Sequence, residues 1–98
     1  MSPPLTLRPA ARAEIQIAFE WYEEQRPGLG EEFLAVLRES LAAVEEAPFR
    51  YPVIRKDVRR ALMRRFPYSI LYLAEPDATV VLACFHGSRN PQEWHRRR

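Results

Sequence analysis

The apolar residues of this chain change period once. The 3.6-residue repeat of a helix gives way, near residue 58, to the two-residue repeat of a strand. Before the change, Ala11, Ile15, Ala18, Phe19 and Tyr22 recur at three- and four-residue spacings, while Glu14, Glu20, Glu23 and Glu24 fall largely elsewhere. That pattern predicts an amphipathic helix over about 10–25, opened by Pro9, whose missing N–H is one the first turn leaves unpaired anyway. Arg26-Pro27-Gly28-Leu29-Gly30 breaks it. Phe33, Leu37, Leu41 and Val44 form a second stripe, with Glu31 and Glu32 in the turn where the helix dipole favours acids. The second helix therefore runs over about 31–46, and the short link makes the pair an antiparallel hairpin.

After Pro48 there is no period until Val58, and residues 48–57 read as a pinned loop. Val58–Arg65, Tyr68–Ala74 and Thr79–His86 then read as consecutive antiparallel strands, the last two joined by the turn Glu75-Pro76-Asp77-Ala78. Both alternate sets of the third run are apolar, so it belongs at the centre of a sheet. In the first run Arg60 and Arg64 share a face with Leu62, opposite Ala61 and Met63, which predicts a cationic face. With Leu5–Arg8 as a short leading strand, the order is β-α-α-β-β-β. This is the α+β class, a helix hairpin on a small antiparallel sheet. At 98 residues the chain has room for one domain, with a core over about 5–88 and a polar basic tail at 89–98.

Charge is unevenly placed. Residues 1–50 hold five Arg and nine Glu, a net of −4, whereas 51–98 hold nine Arg, one Lys and four acids, a net of +6. Such asymmetry points to a charged partner. The longest apolar run, Val80–Phe85, is far short of the roughly 20 residues a membrane span needs. The first 16 residues lack the apolar segment of a secretory signal, so the expectation is a cytoplasmic protein without membrane contact. Cys84 is the single cysteine and reads as core. Cys84 and His86 would share a face of the last strand, but no Cys-x-x-Cys or His-x-x-His pair accompanies them, so neither metal nor cofactor is expected.

Four segments, in this order, resemble the RelE/ParE toxins of bacterial type II toxin–antitoxin modules. They are Ala18-Phe19-Glu20-Trp21-Tyr22-Glu23-Glu24-Gln25-Arg26-Pro27-Gly28-Leu29-Gly30-Glu31-Glu32-Phe33, then Tyr51-Pro52-Val53, then Arg59-Arg60-Ala61-Leu62-Met63-Arg64-Arg65-Phe66-Pro67-Tyr68, and last His86-Gly87-Ser88-Arg89-Asn90-Pro91 followed by Trp94. The resemblance spans roughly 5–95 and implies one fold with two activities. RelE-type members cut mRNA in the ribosome without a metal, and ParE-type members poison DNA gyrase. Aligned on Tyr68, the chain has Leu62 and Ser69 where the ribonuclease branch places a Lys and an Arg. Arg89 stands at the family's arginine after the last strand, and His95 near the place of its C-terminal Tyr. The resemblance therefore implies a ParE-like toxin that poisons gyrase, neutralised by a ParD-like antitoxin in a hetero-oligomer. The alternatives are a RelE-type endonuclease, or a nontoxic module that only binds antitoxin.

Metal-free RNA cleavage needs a base, an acid and a cation for the phosphorane, roles that His86, His95 and Arg89 would supply. Otherwise His86 simply ends a strand and His95 belongs to the tail. For binding a target or antitoxin the candidates are Arg59, Arg60, Arg64, Arg65, Arg89, Trp94, His95 and Trp21. The four strand-region arginines serve as well to deter pairing at a sheet edge.

Overall fold

The computed structural model describes residues 4–87. The elements are β1 (Leu5–Leu7), α1 (Pro9–Gln25), α2 (Leu29–Glu46), β2 (Val53–Arg55), β3 (Val58–Leu62), β4 (Tyr68–Ala74) and β5 (Thr79–His86). The α+β class follows the periodicity, and β4 and β5 have the bounds read from it. Two details differ. The end of the segment read as a loop forms the edge strand β2, and β3 stops at Leu62 instead of continuing to Arg65.

Five strands lie in the order β1-β5-β4-β3-β2. The three long ones are antiparallel, as the turns dictate, but β1 runs parallel to β5, with Leu5 opposite Thr79 and Leu7 opposite Val81. The sheet is thus mixed. β1 is fastened where the outer edge of β5 is open: the Thr79 N–H donates to Pro4 O at 2.9 Å and the Arg8 N–H to Val81 O at 2.9 Å. Beyond Val81 that edge loses its partner strand, and a buried carboxylate takes over. Glu14 Oε1 accepts the Cys84 N–H at 3.0 Å, satisfying an amide that burial would otherwise orphan.

The helix hairpin closes tightly. Gly28 turns the chain with φ 90, a left-handed conformation that glycine adopts without a Cβ penalty. Glu23, near the end of α1, accepts the N–H groups of Gly28 at 3.0 Å and Gly30 at 2.8 Å. The last turn of α1 thereby satisfies donors that the first turn of α2 leaves free.

Both helices pack on one face of the sheet. Ala11, Ala18, Tyr22, Phe33, Leu37 and Val44 meet Ala61, Met63, Ile70, Tyr72, Val81 and Cys84 there. At its end sits an aromatic cluster, with ring centroids 5.3 Å apart for Tyr22–Phe33, 5.0 Å for Tyr22–Phe66 and 5.3 Å for Phe33–Tyr68. The other face carries a second cluster of Val58, Leu71, Leu73, Leu82, Ala83 and Phe85. A register shift in β5, opposite Leu71 and Tyr72, puts Leu82 and Ala83 on that same face while Val81 and Cys84 keep to the helix side. This is why both alternate sets of β5 are apolar.

Candidate functional site

The four arginines singled out in the sequence go to three different places. Arg59 sits on the helix side of β3, in the alternate set of Ala61, and its guanidinium donates to Tyr51 O at 2.6 Å and Phe49 O at 3.2 Å. It also lies over the Phe49 ring, 5.2 Å from the centroid. It ties down the segment after α2. Arg60 falls in the opposite set, with Val58 and Leu62, and its exposed guanidinium has no partner among the described residues.

Arg64 and Arg65 turn back toward α2. The shared face predicted for Arg60 and Arg64 is not formed, because β3 has ended by then. The Met63 N–H closes onto Tyr68 O, the Phe66 N–H onto Arg64 O, and Arg65 takes φ 73. That turn carries Arg64 to Glu39, at 3.1 and 3.2 Å, and Arg65 to Glu32, which Arg26 also reaches at 3.1 Å. The two arginines hold the Glu32 carboxyl below the usual carboxylate range, Arg65 contributing most. Glu32 and Glu39, two helical turns apart, thus neutralise half of the cationic group. The sequence carried no signal for this, since both partners lie 25 or more residues away in an element of different period.

The positions at which Lys and Arg would mark a ribonuclease form one cross-strand row. Leu62 pairs with Ser69, and Ser69 pairs with Phe85, on the face away from the helices. Leu62 is 68% exposed. Arg60, opposite Leu71, is the cation nearest in register, and no His, Tyr or carboxylate occupies a strand position of that face among the described residues. His86 is not there. It pairs with Tyr68 at the end of the sheet and meets that ring edge-on at 5.1 Å, on the helix side. Cys84 is buried beneath α1, where burial first and the Glu14 carboxylate second push its thiol up to about 12. Among the described residues no three potential metal ligands are gathered.

Trp21 lies on the surface of α1 one turn from Ile17, each 55% exposed. Its ring meets Tyr22 edge-on at 5.1 Å, leaving an apolar step on the hairpin. Ile17 was absent from the sequence candidates because it lies just outside the buried stripe. Arg55 and Lys56, exposed at the β2–β3 turn, were absent because that segment read as a loop. Arg89, Trp94 and His95 lie outside the described residues.

The family model described as the ParE toxin of the type II toxin–antitoxin system parDE matches residues 5–91. Among solved structures, the chain is similar to one described as the chromosomal ParDE TA system from P. aeruginosa. It shares 15% sequence identity with it over 87% of this chain and 96% of that one, with a TM-score of 0.78. At that identity the likeness establishes the fold. No curated protein sequence matches this chain.

Proposed function

Since this chain belongs to the ParE toxin family of type II toxin–antitoxin systems, we propose that it inhibits growth by binding and poisoning DNA gyrase, and that a ParD-like antitoxin silences it in a hetero-oligomer. The row Leu62–Ser69–Phe85 carries the reading. Cleaving RNA without a metal calls for an acid and a base on either side of the phosphate, and a cation over it. The row offers an exposed hydrocarbon and a half-buried hydroxyl, beside a phenylalanine that is itself buried. Such a face fits the binding of a protein better than bond-breaking.

The antitoxin is assigned to the helix hairpin. Ile17 and Trp21 present a small apolar step of the kind an amphipathic segment covers, and aromatic residues dominate binding hot spots. A gyrase-directed toxin works in the cytoplasm; no helix of the described residues is long and apolar enough to cross a membrane.

A supercoiling assay on purified gyrase tests the reading. Added toxin should stop supercoiling and leave cleaved DNA trapped on the enzyme. Normal supercoiling, together with codon-positioned cuts in ribosome-bound mRNA, would overturn it in favour of the ribonuclease.

A further inference from the structure

Among the described residues of the basic half, the cations that α2 does not neutralise gather at one end of the sheet. β2 is the terminal strand, and with β3 it forms a two-stranded ribbon closed by the turn Lys56–Asp57, with Lys56 at φ 51. Residues 50–60 hold Arg50, Arg55, Lys56, Arg59 and Arg60 against one acid, Asp57. Arg59 is held by carbonyls, and Arg50 rests on Tyr51, 5.1 Å from its ring and 3.1 Å from its hydroxyl. Arg55, Lys56 and Arg60 are all exposed, and their charged groups have no partner among the described residues. Phe49, 63% exposed, and Val53, 47% exposed, lie on the same ribbon and the loop that leads into it.

We propose that this ribbon docks on duplex DNA, with Arg55, Lys56 and Arg60 against backbone phosphates. Five cations around a single acid repel one another, and a polyanion relieves that repulsion while releasing its own counterions. The shape agrees, since the major groove admits a two-stranded β-ribbon. An acidic polypeptide is the other source of negative charge, and it would dock most strongly by adding a strand to the edge. β2 is three residues long and its register shifts between Val53 and Arg55, so it offers little ladder to extend. What the ribbon presents is side-chain charge spread over a strand and a turn, which suits a continuous row of phosphates. The proposal goes beyond the gyrase reading and stands without it, because the binding needs no gyrase.

Fluorescence anisotropy of a labelled duplex of about 20 base pairs, titrated with the full chain at several salt concentrations, tests it. The comparison is a variant carrying Arg55→Gln, Lys56→Gln and Arg60→Gln, its fold checked by thermal melt, with Arg60→Gln alone as the milder case. Each phosphate contact contributes about 0.9 to the slope of log affinity on log salt, so the triple variant should be shallower by about 2.7 and the single one by about 0.9. Between about 50 and 200 mM salt the native chain should then give up about 40-fold more affinity than the triple variant. The same difference should persist in chains ending at His95, which lack Arg96, Arg97 and Arg98. Failure of the native chain to bind the duplex would overturn the proposal, as would equal slopes for native and variant chains. Binding of poly-glutamate or single-stranded RNA as tight as that of the duplex, with the same dependence on the three residues, would overturn it as well.

Discussion

Tyr72 and Arg59 decide what becomes of the chain after α2. The Tyr72 hydroxyl donates to Pro48 O at 2.5 Å in a buried setting, and burial pushes its ionisation up to about 12 against the opposing pull of Arg59. Arg59 holds the next two turns of the path through the carbonyls of Phe49 and Tyr51. Tyr72→Phe removes the donor and leaves the carbonyl of buried Pro48 without a partner, at a cost of about 1–3 kcal/mol. A lower urea midpoint with an unchanged m-value is the expected result, and an unmoved midpoint would show that another donor serves Pro48. Only part of this was legible. Alternation in the Arg59–Arg60 doublet requires the two to face opposite ways, but which one meets solvent depends on carbonyls in a segment with no period. The prolines and aromatics of 48–52 announced a fixed path without saying what fixes it.

Among the elements, legibility followed length. Helices of 17 and 18 residues and strands of seven and eight repeat their pattern often enough to declare themselves. β2, three residues long, does not, while β1, equally short, was read from its alternation but without its direction. Their existence depends on the edges of the longer strands, and so does the parallel sense of β1. Glu14 was read only as lying off the apolar stripe, yet it caps the β5 edge that β1 is too short to cover. The hairpin between the helices was legible from Gly28 and Gly30, though the second glycine answers to packing more than to backbone angles. A Cβ on Gly30 would fall 2.7 Å from Phe19 O and 2.6 Å from Glu23 Cγ. The carbonyl is part of α1 and cannot step aside, so Gly30→Ala must push the helices apart. Overpacking of this kind costs about 1–3 kcal/mol, although alanine is the better helix former. A thermal melt should show destabilisation, whereas a raised melting temperature would mean that the contact yields at no cost.

At the scale of the molecule, the opposite charges of the two halves are partly an internal matter. Two of the three ion pairs among the described residues, Arg64–Glu39 and Arg65–Glu32, join one half to the other. All three are exposed, so each adds little to stability; their effect is to neutralise two arginines that stay at the surface. What remains outward is an apolar step on α1 at Ile17 and Trp21 and a basic ribbon at β2–β3, separate surfaces able to take separate partners. If the antitoxin covers the α1 step, Ile17→Ser with Trp21→Ala should alter the free chain by no more than about 0.5 kcal/mol, since both side chains are more than half exposed. Binding should suffer far more, because truncating an aromatic hot spot costs about 2 kcal/mol or more, roughly 30-fold in Kd. A partner that binds only the folded chain stabilises it by RT ln(1 + [L]/Kd), so the loss is read directly from melting temperatures. The chain should be melted alone and with the product of the adjacent small reading frame, in native and doubly substituted forms. The native chain should gain stability with added partner while the variant gains clearly less at the same concentration. Equal gains would move the antitoxin off this step of α1, and the Arg55, Lys56 and Arg60 substitutions, tried in the same melt, would show whether it had moved to the ribbon.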